Sequence, residues 1–315
     1  MSAALPDATE LDAAWAVVRE HLAPSPITWR DDVAYKREDL LPTGAFKVRG
    51  ALSALDAARR RGVERVVVAS AGNHGAGIAW ASHTMGMRAT ILVPAGCPAV
   101  KREKMARYAE VVVCDTPGYD ETEAVARERA AREGVPFVSP FDDTAVMAGN
   151  GGTLGRELAE ELPEIGTLFV PVGGAGLVAG LICAFERVGR TPRIVTSQSV
   201  VSPAYARSLA DGTVYTTWPP AESLAEGLEG GTGATGVHVG ERYGVEALEV
   251  EEDAIGAAMV DLSDGLGAPV EGSAAVAEVA RKEQGHRFPT PHVVLVTGGN
   301  VDPARLDALR AQHAR

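Results

Sequence analysis

The sequence predicts an α/β protein with two α/β units, open sheets flanked by helices, and a cleft between the units. Short β-branched runs alternate with longer helical patterns along most of the chain. The first three runs are apolar on both faces, as strands buried in a parallel sheet are. Glycine clusters follow three of the runs, and open α/β sheets bind ligands at the carboxyl ends of their strands.

In chain order, "RVVVAS" (Arg65 to Ser70) precedes a helical stretch from His74, and "ATILVP" (Ala89 to Pro94) precedes another from Ala99. "EVVVCD" (Glu110 to Asp115) precedes the helical "YDETEAVARERAAREG". The alternation resumes with "TLFVPV", "RIVTSQS" and "HVVLVTGG" (His292 to Gly299). An acidic start at "EEDAIGAAMVDL" suits a helix N-terminus. The region from Ser202 to Gly244, rich in Gly, Pro, Ser and Thr, is too loose to assign to regular elements.

Composition narrows the function classes. The 315 residues suffice for one large domain or two modest ones, and 46% hydrophobic with 23% charged residues is a globular balance. Thirty Lys and Arg against 42 Asp and Glu give a formal charge of −12, which argues against nucleic acid as a partner. Cys97, Cys114 and Cys183 are odd in number and far apart, so they suggest small buried side chains in a reducing cytoplasm. The N-terminal "MSAALPDATELDAAW" lacks the basic region of a signal peptide. The uncharged stretch Thr167 to Phe185 is interrupted by Pro171 and four glycines, so strand, turn and buried helix explain it better than a membrane span.

The glycine clusters carry the chemistry. In "SAGNHGAG" (Ser70 to Gly77) the glycines permit close backbone approach to a ligand, and Ser70, Asn73 and His74 add polar side chains. A capped strand–helix turn explains that cluster equally well. "VPVGGAGLVAG" (Val170 to Gly180) suits a phosphate cradled by N–H groups at a helix start. It also fits a loose dinucleotide fingerprint, but the next strand, "RIVTSQS", lacks the acid that would hold a ribose. "LVTGGNVD" (Leu295 to Asp302) places Thr297 at a strand end and Asp302 as a cap for the last helix. Lys47 lies in "REDLLPTGAFKVRGA", after a turn signal and Phe46, where a chain enters a core.

"PTGAFKVRGA", "ASAGNHGAGIAW", "VPVGGAGLVAG" and "LVTGGNVD", in that order, resemble the fold-type II pyridoxal-phosphate enzymes, specifically the threonine/serine dehydratase and serine racemase family. The resemblance runs through most of the chain. It implies a tryptophan synthase β-like fold with two open, twisted, mostly parallel sheets and a cleft between. The expected small, substrate-gripping domain is 48–147, inserted into a large cofactor-binding domain of 1–47 and 148–315.

The same resemblance implies the roles. Lys47 matches the catalytic lysine that forms a Schiff base with pyridoxal 5'-phosphate, and Phe46 precedes it. Once released, its amine is a base for the substrate Cα–H. Gly173, Gly174, Ala175, Gly176 and Leu177 resemble the phosphate loop; the family usually has glycine at 175, and a methyl there requires a negative φ. Asn73 matches the partner of the cofactor's ring hydroxyl. Thr297 matches the neutral hydroxyl beside the pyridine nitrogen. Ser70, Ala71, Gly72 and His74 resemble the loop that grips the substrate carboxylate.

Departures from the family pattern sharpen the expectation. Racemases carry a serine where Ala71 stands. Gln198 and Ala204 occupy the places of two metal-binding carboxylates, so no divalent metal is expected. A family "GQGT" reads "GNGGT" (Gly149 to Thr153), with one extra residue. The chain ends soon after "GGNVD", without the regulatory domain of biosynthetic threonine dehydratases. The implied activity is elimination of water from a β-hydroxy amino acid such as threonine or serine, giving a 2-oxo acid and ammonia. Racemisation or β-replacement is the alternative. A cytoplasmic homodimer acting on a small amino acid, away from membranes and nucleic acid, completes the expectation.

Overall fold

The computed structural model describes residues 4–190 and 192–313, which leaves the first three residues of the N-terminal stretch outside the description. Helix α1 (Ala8–His21) opens on a capping box. The Asp7 carboxylate accepts the Glu10 N–H at 2.8 Å, and the Glu10 carboxylate accepts the Asp7 N–H at 3.0 Å. Strands β1 (Ile27–Arg30) and β2 (Val33–Arg37) then form an antiparallel hairpin absent from the sequence expectation. Its turn places Asp31 at φ 52°, a left-handed conformation that Asp tolerates better than most residues. Helix α2 (Lys47–Arg60) begins at the lysine itself.

The middle of the chain follows the expected alternation: β3 (Arg65–Ala69), α3 (Asn73–Thr84), β4 (Arg88–Pro94), α4 (Ala99–Ala106), β5 (Glu110–Cys114) and α5 (Tyr119–Glu133). The three strands pair in parallel in the order β3-β4-β5. Burial on both faces holds for β3 and β4 but fails for β5, where Val113 is 46% exposed. β3 and β5 are both terminal strands, but the free side of β3 is covered by the segment at Phe137, which bridges Val67, while β5 has no such neighbour among the described residues. Cys114 is accordingly half-buried, whereas Cys97 and Cys183 are buried; all three are free thiols.

Helix α6 (Thr144–Met147) starts under the Asp143 carboxylate, which accepts the Val146 N–H at 3.1 Å. It continues through a π-helical turn, Ala148–Gly152, into α7 (Thr153–Glu161). Next come β6 (Thr167–Pro171), α8 (Gly176–Arg187) and β7 (Arg193–Ser199). The uncharged stretch is thus strand, turn and helix, and no helix among the described residues is long and apolar enough to cross a membrane.

The loose region proves to contain α9 (Ala204–Asp211) and α10 (Ala234–Tyr243). Their internal or flanking glycines and prolines mask them in the sequence. The irregular chain between them is held by side chains: Ser202 Oγ accepts the Gly230 N–H at 3.2 Å, and Ser273 Oγ accepts the Gly227 N–H at 2.9 Å. Strand β8 (Glu246–Val250) leads into α11 (Glu252–Leu266), whose acidic first turn was expected. Helix α12 (Gly272–Gln284), β9 (His292–Val296) and α13 (Pro303–His313) close the fold, with the Asp302 carboxylate accepting the Ala304 N–H at 2.9 Å.

The larger sheet runs β1-β2-β9-β6-β7-β8, parallel except for the first pair. β9, last in sequence, lies between β2 and β6, which brings residues 297–300 beside the approach to Lys47. Val48, Leu52 and Leu55 of α2 share a core with Val66, Val68, Ile78 and Ile91 around the small sheet. Val17 and Val18 of α1, with Leu22 just after it, enter the same core, so the N-terminal helix also packs against this unit. Two further cores cover the two faces of the large sheet.

Candidate active site

Three glycine clusters and one lysine converge at the strands' carboxyl ends. β3 ends at Ala69, next to Ser70, and α3 starts at Asn73; β6 ends at Pro171 and α8 starts at Gly176; β9 ends at Val296, next to Thr297. The Phe46 N–H donates to the Thr297 carbonyl at 3.0 Å, and the Gly299 N–H donates to the Gly44 carbonyl at 2.9 Å. These bonds tie the "PTGAFK" turn to the end of β9. Helix α3 approaches from the other side: a Cβ on Gly77 would stand 3.1 Å from the Lys47 backbone, so a side chain there would push the helices apart by a few tenths of an ångström.

Lys47 Nζ donates to the Pro140 carbonyl at 2.9 Å and lies 5.0 Å from the Phe46 ring centroid. Lys47 is half-buried as a residue while its ammonium is surrounded by protein, and burial lowers its pKa from 10.5 to about 8. The amine is therefore far easier to deprotonate than a surface lysine, which is what a nucleophile requires.

Two residues beyond Lys47, the fully buried Arg49 anchors α2. Its guanidinium bonds both Glu38 oxygens at 2.7 and 2.9 Å and both Glu157 oxygens at 2.8 Å. Lys36 Nζ lies 3.1 Å from Glu157 and 2.6 Å from Glu161, which completes a paired network in the interior.

The "SAGNH" loop presents a mixed set. Ser70 Oγ accepts the Gly72 N–H at 3.2 Å, Gly72 is exposed, and Ala71 leans on the small unit's core. Asn73 Nδ2 donates to Glu271 Oε1 at 2.9 Å, and Asn73 Oδ1 accepts from Asn300 Nδ2 at 2.9 Å. His74 Nε2 lies 3.3 Å from the Val138 carbonyl. Burial, reinforced by the Lys47 charge, lowers its pKa to about 3, so the ring is neutral with its proton on Nε2. Its buried Nδ1, without a partner among the described residues, is then an acceptor and has no proton to offer a carboxylate.

A family model described as "Pyridoxal-phosphate dependent enzyme" matches residues 20–299. The chain belongs to that family. This pyridoxal-phosphate dependent enzyme is 33% identical to the L-threonine ammonia-lyase of Geobacter sulfurreducens, over 86% of its own chain and 67% of that protein. It is 31% identical to the L-threonine dehydratase catabolic TdcB of Escherichia coli K12, over 89% of its chain and 86% of that protein. Among solved structures, maize serine racemase superposes with a TM-score of 0.89 at 27% identity, over 99% and 98% of the two chains. The threonine deaminase of T.th. gives a TM-score of 0.86 at 30% identity, over 94% and 99%. The fold is thus that of the fold-type II enzymes, as the sequence motifs imply.

The residues present fit the cofactor. Lys47 supplies a buried amine for an aldehyde. The first turn of α8 supplies N–H groups that a helix leaves without internal acceptors, at the positive end of its dipole. Close packing shapes this loop: a Cβ on Gly174 would stand 2.2 Å from the Phe141 ring, and one on Gly176 2.4 Å from the Phe141 carbonyl.

Ala175 overturns one expectation. Its φ is +62°, not negative, so it occupies the left-handed region that costs an L-residue about 1–2 kcal/mol. The loop is built as for glycine and carries a methyl regardless.

Four residues of the site escaped the sequence reading: Pro140, Phe141, Glu271 and Asn300. Pro140 and Phe141 belong to an irregular segment whose only signal is the turn-like "SPFDD". Glu271 precedes α12, where an acid reads as a simple cap. It instead points across the site: Gly298 lacks the Cβ that would stand 2.5 Å from Glu271 Oε1, and the Asn300 N–H donates to Oε2 at 3.1 Å. Burial raises its pKa to about 7.

Gln198 and Ala204 lie where metal carboxylates were considered. Gln198 Oε1 accepts the N–H groups of Tyr205 and Ala206 at 2.9 and 3.1 Å, so it caps α9. No group of three or more His, Cys, Asp or Glu side chains is arranged for a metal among the described residues.

Proposed function

We propose that the protein removes water from a β-hydroxy amino acid of the threonine or serine type, releasing a 2-oxo acid and ammonia. The observation that carries this is Lys47: a buried amine with a pKa near 8, facing a single carbonyl acceptor, in a chain similar to threonine ammonia-lyases. Pyridoxal phosphate, when bound, supplies the electron sink for carbon–hydrogen cleavage. The N–H groups from Gly173 to Leu177 hold its phosphate, and Phe46 flanks the lysine. Asn73, held by Glu271 and Asn300, would bond its ring hydroxyl, and the Thr297 hydroxyl would serve its ring nitrogen.

The substrate carboxylate takes the Ala71 N–H and the N–H groups of the first turn of α3, since the Ser70 N–H is engaged by the Leu92 carbonyl at 3.1 Å and the Gly72 N–H by Ser70 Oγ at 3.2 Å. Lys47 takes the Cα proton, and the protein around it limits access of water. Racemisation is the second reading, favoured by the likeness to maize serine racemase. Ala71 opposes it, since a methyl group has no proton to deliver to the opposite face. The domain limits of 1–47 with 148–315 and 48–147, the homodimer and the cytoplasmic location belong to this same proposal. Light scattering tests the dimer.

The deciding experiment assays ammonia and 2-oxo acid release from a panel of β-hydroxy amino acids, with and without borohydride pretreatment. Release that borohydride abolishes, and that Lys47→Ala lacks, supports the reading. Full activity of Lys47→Ala overturns it.

A further inference from the structure

The extra residue in "GNGGT" has a structural consequence. Ala148–Gly152 is a π-helical turn between α6 and α7, and all five residues are buried. A π-turn accommodates one residue more than an α-turn and rotates the residues around it, and such turns cluster at functional sites. Here the rotation sends consecutive residues to two different helices of the site.

Towards α2, Asn150 is 1% exposed and its Oδ1 accepts the Gly50 N–H at 2.9 Å. In that first turn the Arg49 N–H takes the Phe46 carbonyl at 3.0 Å, while the Gly50 N–H donates out of the helix to Asn150. The fit is close, because a Cβ on Gly50 would lie 2.7 Å from the Asn150 amide. Towards α8, a Cβ on Gly151 would stand 2.1 Å from the Leu177 carbonyl oxygen, and one on Gly180 2.1 Å from the Met147 carbonyl oxygen. The backbones of the π-turn and α8 therefore touch directly.

We infer that Asn150, presented by this π-turn, is a positioning residue for Lys47: it fixes the first turn of α2 against the helix whose N-terminus forms the phosphate loop. The turn sits behind the site and touches the helices that carry its two ends. Gly50 is one turn from Lys47, and Leu177 belongs to the glycine loop itself. Loss of the Asn150 acceptor frees the first turn of α2 to shift relative to α8. The amine then loses its fixed place over the cleft while the cofactor's phosphate seat persists. The inference rests on the proposed role of Lys47 as the cofactor-bearing amine.

The test compares Asn150→Ala, Asn150→Asp and Leu154→Ala with the wild type. Asn150→Asp keeps an oxygen acceptor of the same size. Leu154→Ala removes buried volume from α7 and serves as a control for loss of stability alone. The first readout is hydrogen exchange of the Gly50 amide in the cofactor-free protein, expected to quicken about twofold to tenfold in Asn150→Ala, the factor carried by one ordinary hydrogen bond. The second is the pH midpoint of the absorbance of the lysine-linked cofactor, expected to move in Asn150→Ala and to return towards wild type in Asn150→Asp. The third is turnover, expected to fall about tenfold to a hundredfold in kcat with little change in KM.

Wild-type exchange and pH midpoint in Asn150→Ala overturn the proposal, as does the same pair of shifts in Leu154→Ala. Should Asn150→Ala not fold, Asn150→Ser, which withdraws the acceptor with a shorter side chain, takes its place: wild-type exchange and pH midpoint overturn the proposal, and the paired shift upholds it. A wild type that links the cofactor but releases no ammonia defeats the elimination reading alone, since the first two readouts need no turnover.

Discussion

The methyl of Ala175 occupies the space that Gly236 leaves empty: a Cβ built on Gly236 would stand 2.4 Å from the Cβ of Ala175. A left-handed alanine in the glycine loop before α8 is thus accommodated by a missing side chain on α10. The two positions form a coupled pair. Ala175→Gly should raise stability by roughly 0.5–1 kcal/mol, as relief of the left-handed strain outweighs the added chain entropy. Gly236→Ala should cost about 1–3 kcal/mol by overpacking, and distinctly less in the Ala175→Gly background. Urea unfolding of the four proteins of this cycle measures the coupling; strictly additive effects would show that the residues do not meet.

Lys47 makes the stability of the cofactor-free protein pH-dependent. Its folded pKa near 8 lies below the ordinary 10.5, so between those values the unfolded chain holds one proton more. Stability should rise with pH through that window relative to Lys47→Met, and the difference should be flat below it. Parallel urea titrations of the two proteins across the window check the sign.

Glu271 acts in the opposite sense. Its folded pKa of about 7 exceeds the ordinary 4.5, so the folded state holds the extra proton between these values and stability falls as pH rises. The advantage of Glu271→Gln over the cofactor-free wild type should therefore widen from pH 4.5 to about 7 and then level off. A constant difference across that range would place the Glu271 proton elsewhere.

Ala71 should decide between elimination and racemisation. Delivering a proton to the second face requires a donor, and one general acid or base is worth roughly a hundredfold to ten-thousandfold in rate. Residual serine or threonine recovered after partial turnover should keep its α-configuration. Ala71→Ser should gain measurable racemisation. Inversion by the wild type as fast as oxo-acid release would refute this role of the methyl group.

Gln198 is expected to act as a cap. Gln198→Leu should destabilise by about 1–2 kcal/mol, because the Tyr205 and Ala206 N–H groups lose a buried acceptor. Turnover should be indifferent to EDTA; activity lost to the chelator and restored by magnesium would point to a metal instead.

The alternation of strands and helices was legible in the sequence because period and composition are local. Buried β3 and β4 read as apolar runs, and the helices beginning at Asn73, Ala99 and Tyr119 fall within a residue or so of their expected starts. The glycine turn before α8 was legible too, since a glycine run between a strand and a helix is written in consecutive residues. Long-range partnership has no such local signature. Glu271 is 198 residues from Asn73, Asn150 is 100 from Gly50, and Phe141 meets Gly174 from an irregular segment. The left-handed Ala175 also required the fold, because an alanine adopts that backbone only where surrounding contacts outweigh its intrinsic cost and a neighbour as small as Gly236 leaves room for the methyl.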